Sequence, residues 1–211
     1  MRLKTQLGKG KAPMKKLLVL IAILAFVPLA FGDQFTLQTY DVNALSADPG
    51  LVLNTQKVAD TPTFWLNPGQ STTFDLFKIW TSESTVNPDD TIPKSIEVDF
   101  AFNPPDSSGE VNGNTYGVAT LFGLIQYGKV VWSGPAVVNP VSGGQYVLAL
   151  SNETFNIGVF GLDSGIHDGA TVTATLTYTQ AAPAQTPEPA SMLLLGSGLA
   201  GLAGIIRRRR S

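Results

Sequence analysis

Between Asp33 and Gln180 the apolar residues recur at every second position, and no stretch of ten or more carries a helical stripe. A period of two puts alternate side chains on opposite faces of an extended chain. In Lys94 to Phe102, Ile96, Val98, Phe100 and Phe102 point one way and Ser95, Glu97, Asp99 and Ala101 the other. Thr171 to Thr179 does the same, with Val172, Ala174, Leu176 and Tyr178 inward and five threonines outward. Strands with one face on a core and one in water belong to antiparallel sheets.

Further strands are predicted at Phe35–Tyr40, Leu51–Val58, Ser71–Trp80, Tyr116–Tyr127, Val130–Trp132, Gln145–Leu150 and Thr154–Leu162. Turn chemistry separates them at Asp48-Pro49-Gly50, Asn67-Pro68-Gly69, Asn103-Pro104-Pro105-Asp106, Asn112-Gly113-Asn114, Ser142-Gly143-Gly144 and Asp168-Gly169. Tyr127-Gly128-Lys129 reads as a tight hairpin. About eight to ten short strands imply an all-β fold, an antiparallel β-sandwich over 33–180. Immunoglobulin-like and jelly-roll topologies both stay open.

Charge is strongly segregated. Six basic residues and no acidic one precede Asp33; four arginines follow Ile206; fifteen acidic residues face only four lysines between Asp33 and Thr186. So acidic a body does not hold a polyanion through counterion release, which argues against nucleic acid. With no cysteine, disulfides, thiolate zinc sites and cysteine nucleophiles are excluded.

The N-terminal segment 1–32 has the form of a secretory signal peptide. Lys15 and Lys16 precede fifteen uncharged residues, Leu17 to Phe31, and Ala30 and Gly32 are small residues suited to cleavage before Asp33. Sec machinery and signal peptidase are the implied partners, and Met14 is the better start for such a signal. At the other end, residues 181–186 form a small-residue linker, followed by Pro187-Glu188-Pro189. Ala190 to Ile206 is uncharged and reaches about 25 Å as a helix, the lower limit for a membrane span. Arg207, Arg208, Arg209 and Arg210 stop it and orient it with the body outside the inner membrane. Four glycines weaken this helix; their spacing suits close helix packing or local unwinding by a processing enzyme.

Pro187-Glu188-Pro189, the glycine-containing apolar run and the arginine cluster together resemble the PEP-CTERM sorting signal, here over 187–211. The resemblance implies export, recognition by exosortase, loss of the tail, and delivery to the surface or matrix of a Gram-negative bacterium that makes exopolysaccharide. Pro187, Glu188 and Pro189 would be the recognised element. The logic is that of a sacrificed hydrophobic tail.

Chemistry within the body is harder to find. His167 lies in Asp163-Ser164-Gly165-Ile166-His167-Asp168, which reads as a polar turn before the last strand; no G-x-S-x-G elbow accompanies it. Glu83, Glu97, Glu110 and Glu153 offer carboxylates for glycoside hydrolysis but form no recognisable constellation. Two oxygen-rich loops, Asn87, Asp89 and Asp90, and Asp106, Glu110, Asn112 and Asn114, offer the ligand type calcium takes, although neither matches the D-x-[DN]-x-[DN]-G spacing. Trp65, Trp80 and Trp132, with Tyr40, Tyr116, Tyr127 and Tyr146, could stack on sugar rings. Core filling is the better expectation for Trp80, which shares the parity of Phe74 and Leu76, and partial exposure for Trp65. The expectation is therefore an exported, non-enzymatic surface or matrix protein with no catalytic or cofactor residues. A carbohydrate-binding module for the producer's own polysaccharide is the alternative, and a secreted hydrolase the third reading.

Overall fold

A computed structural model describes residues 32–44 and 47–182, together with Gly196, Gly198 and Leu199, which are helical. The remainder of the signal peptide with Met14 and Ala30, the Pro187-Glu188-Pro189 element, most of the 190–206 span and Arg207 to Arg210 lie outside the described residues. Among the described residues, no helix is long and apolar enough to cross a membrane.

The described body holds eleven strands: β1 (Asp33–Ala44), β2 (Leu53–Lys57), β3 (Thr63–Leu66), β4 (Ser71–Thr81), β5 (Lys94–Phe102), β6 (Ser107–Thr120), β7 (Ile125–Trp132), β8 (Ala136–Val138), β9 (Gln145–Leu150), β10 (Glu153–Val159) and β11 (Ala170–Gln180). All pairings are antiparallel. They form a six-stranded sheet, β10-β7-β6-β5-β1-β3, and a five-stranded sheet, β2-β4-β11-β9-β8. The fold is thus all-β, as the alternation implies.

The inner faces meet through aromatic edges. Phe35 of β1 lies edge-on to Tyr146 of β9 and Tyr178 of β11, at centroid distances of 5.6 and 5.1 Å. Phe77 of β4 meets Trp132 of β7 at 6.5 Å. Such contacts add about 0.5–1.5 kcal/mol each beyond the apolar area they bury. The inward sets read from β5 and β11 are all buried: Ile96, Val98, Phe100, Phe102, Val172, Ala174, Leu176 and Tyr178.

Three expectations need correction. Asn112-Gly113-Asn114 is no turn but the middle of β6, and Tyr127-Gly128-Lys129 is the middle of β7; the chain reverses at Leu121–Leu124 instead, so Tyr116–Tyr127 is not one strand. The cause is steric. A Cβ on Gly113 would stand 2.7 Å from the Trp132 ring, and one on Gly128 would collide with the Phe155 ring. These glycines are inward strand positions whose volume is filled by a neighbour's aromatic ring. Third, Trp80 is only half-buried. The register of β11 against β4 shifts between Val172 and Thr173, opposite Phe77 and Asp75, so parity changes at Leu76. Phe77 and Ile79 take the core side beyond that bulge, and Trp80 moves to the outer face.

The two poles of the body differ. At one pole the Tyr178 hydroxyl donates to the Asp33 carboxylate and accepts the backbone N–H of Ala182 at 3.2 Å, so the start of β1 and the exit from β11 are clasped together. Burial and the bond to Asp33 push the Tyr178 phenol up to about 12. Strand β4 runs from this end, Ser71 beside Thr177, to Thr81 at the other, about 35 Å away. The far pole collects the Asp48 turn, the loop from β4 to β5, the β6–β7 turn and the end of β10.

Candidate functional site

The far pole is pinned from inside by Asn156, fully buried in a left-handed conformation at φ 53°. Its Oδ1 accepts the backbone N–H of Thr81 at 2.8 Å, and its Nδ2 donates to the carbonyls of Asp163 and Gly165. This one side chain holds β4, β10 and the segment before β11. Gln126 plays a similar part, accepting the Val86 N–H at 2.6 Å and donating to the Gly123 carbonyl.

On that framework sit three carboxylates. Asp48, Glu83 and Asp90 each bring one oxygen to within 4.8 Å of the others, with Asp48 exposed, Glu83 half-buried and Asp90 1% exposed. Glu83 Oε1 accepts the Val52 N–H at 3.0 Å, and Asp90 Oδ2 accepts the Asn87 N–H at 2.6 Å. Neither Glu83 Oε2 nor Asp90 Oδ1 has a hydrogen-bond partner. Desolvation first, then the Asp90 carboxylate by its charge and by accepting a hydrogen bond from the protonated Glu83, and last the Asp48 charge, push the Glu83 carboxyl up to about 7, against one opposing bond from Val52. Of the loop read as Asn87, Asp89 and Asp90, the structure thus takes Asp90 into the cluster. Asn87 contributes its backbone, and Asp89 Oδ2 accepts the Gly50 N–H, tying the two loops. Glu83 was read only as a carboxylate for hydrolysis, although it shares the β4–β5 loop with Asp90, and Asp48 was missed because it comes from a separate turn before β2.

The second expected loop does not exist. Glu110, Asn112 and Asn114 are outward residues of β6, while Asp106 stays in the turn before it. Glu110 instead joins Glu97 and Asp99 on the outer face of the six-stranded sheet. Asn43 donates to Asp99 Oδ2 at 2.9 Å and Glu97 Oε1 at 3.4 Å, and this patch is open to water. Glu153 belongs to neither group.

His167 is exposed in a single 3-10 turn, Ile166–Asp168, with Asp163 and Ser164 also exposed. Trp132, Tyr40 and Tyr146 are buried, whereas Trp65 is 62% exposed on the edge strand β3, as its turn position implies. Tyr116 and Tyr127 are half-buried on the outer sides of adjacent strands β6 and β7. The far pole also ends in bare apolar side chains: Leu121, Phe122 and Phe160 are 62, 112 and 83% exposed, all at positive φ.

Against this geometry, comparison with known families finds the PEP-CTERM protein-sorting motif over residues 185–210. The chain carries a PEP-CTERM sorting signal. The matched range includes Pro187, Glu188, Pro189 and Arg207 to Arg210. That motif is an exosortase recognition signal and implies an exported protein. No curated protein and no solved structure matches the chain.

Proposed function

We propose that the protein is a non-enzymatic component of the cell surface or extracellular matrix, sorted by exosortase and associated with exopolysaccharide. The observation that carries this reading is the PEP-CTERM motif at 185–210, which follows directly on the β-sheet body. Before processing, the body is held in the periplasm by the 190–206 helix; signal peptidase acts before Asp33 and exosortase near Pro187-Glu188-Pro189. The body then serves as a β-sandwich scaffold. Its acidic excess keeps it soluble beside anionic polymer, and the Glu97, Asp99 and Glu110 patch suits bridging through divalent cations.

Tyr116 and Tyr127 favour a second reading, a carbohydrate-binding face on the six-stranded sheet, because two half-exposed rings on one flat face suit sugar stacking.

Replacing Pro187, Glu188 and Pro189 with alanine tests the first reading. Export should persist, with the chain retained in the inner membrane, while wild-type protein at the surface should begin at Asp33 by mass spectrometry and lack its tail. Unchanged surface delivery of the variant would show that sorting does not use this element.

A further inference from the structure

The far-pole carboxylates are placed more specifically than those of an acidic surface. Three acidic groups converge, and among the described residues no lysine ammonium lies within ion-pair distance of them; the one ion pair described is Lys57 with Asp41, at 2.8 Å. Two of the three are held by a backbone N–H on one oxygen only. That bond fixes the direction of the other oxygen, and in both residues the other oxygen is buried and unpartnered. Such orphaned acceptors are costly unless something meets them. Asp90 is fixed further through its own carbonyl, which accepts the Gly117 N–H at 2.7 Å. Val86 and the Asp90 Cβ both lie over Gly117, which leaves no room there for a side chain. The exposed Asp48 leaves the outer side open to water.

We propose that Asp48, Glu83 and Asp90 bind a calcium ion that clamps the turn after β1 to the loop between β4 and β5. Calcium–oxygen bonds of about 2.3–2.6 Å let one ion reach oxygens up to roughly 5 Å apart, which matches the spacing, and calcium takes six to eight oxygens, so water completes the shell. Magnesium keeps most of its water and uses one or two carboxylates. The ion is a structural clasp, and the site is independent of where the chain is delivered.

The test uses the full chain in detergent, stripped of metal with a chelator, then titrated calorimetrically with calcium or magnesium and melted by tryptophan fluorescence. One saturable calcium site is expected, with a dissociation constant of about 10⁻⁴–10⁻³ M, as in extracellular modules. Calcium should raise Tm, chelator should reverse the rise, and magnesium should bind more weakly. Asp48→Asn is exposed and should fold normally, yet weaken calcium at least about tenfold (roughly one carboxylate's share of such a site). Asp99→Asn, in the outer patch, should change nothing. Absence of heat and of any Tm shift at roughly 10 mM calcium, well above that range, would overturn the proposal. So would equal binding of magnesium, or calcium binding that survives Asp48→Asn and Glu83→Gln. If Glu83 and Asp90 share a proton instead, Glu83→Gln raises Tm and calcium has no effect, which also refutes it.

Discussion

The β6–β7 turn presents an unusual cost with no packing return. Leu121 and Phe122 sit at φ 50° and 60°, and the Gly123 N–H closes the turn on the Thr120 carbonyl at 3.0 Å. With both central residues at positive φ, such a turn favours Asn-Gly. A left-handed conformation costs an ordinary L-residue roughly 1–2 kcal/mol. Because Leu121 is 62% exposed and Phe122 fully so, their removal forfeits little burial. Replacing them with Asn-Gly therefore relieves roughly 2–3 kcal/mol of strain, and the added glycine gives back about 0.5–1 through the unfolded chain. The net expectation is a stabilisation of about 1–2 kcal/mol, a rise in Tm of roughly 3–6 °C for a body of this size. Urea and thermal unfolding of residues 33–182, which contain every buried apolar residue described, measure it. An unchanged or lower Tm would refute the reasoning, because those side chains would then have to support the fold.

Asn156→Ala should be among the most damaging single changes. It leaves the Thr81 N–H and two carbonyls without partners and keeps a left-handed residue that alanine tolerates poorly, at a cost of about 3–5 kcal/mol, read from the shift in urea midpoint. For Tyr178, the folded phenol at about 12 stands above its ordinary value of 10.0, so the folded state holds the proton longer. Stability from this group is complete below about pH 10 and is lost as pH rises towards 12; Tyr178→Phe should flatten that alkaline slope in a Tm-against-pH series.

Where strands carried their own apolar volume, the sequence was transparent. Lys94–Phe102 and Thr171–Thr179 were legible residue by residue because each inward position bears its own buried side chain. Strands β6 and β7 were illegible because Gly113 and Gly128 lend their space to Trp132 and Phe155, and a glycine beside asparagine imitates a turn. The bulge opposite Val172 likewise inverted the reading of Trp80, since parity carries no record of an extra residue. Short β3 and β8 offered too few residues for a period. The carboxylate cluster was half visible: Asp90 and Glu83 stood in one loop, each read for a different chemistry, but Asp48 joins them only once the fold brings its turn to the same pole. The sorting signal needed no fold at all, because its parts are consecutive in the chain.

The Tyr178 clasp has a mechanical consequence. Asp33 and Ala182 are held side by side by one hydroxyl, so a force applied at either boundary of the described body acts at the same pole, opposite the one that carries Asp48, Glu83 and Asp90. A fluorescent tag spliced at either boundary therefore sits at the pole away from those carboxylates and from the exposed Phe122 and Phe160.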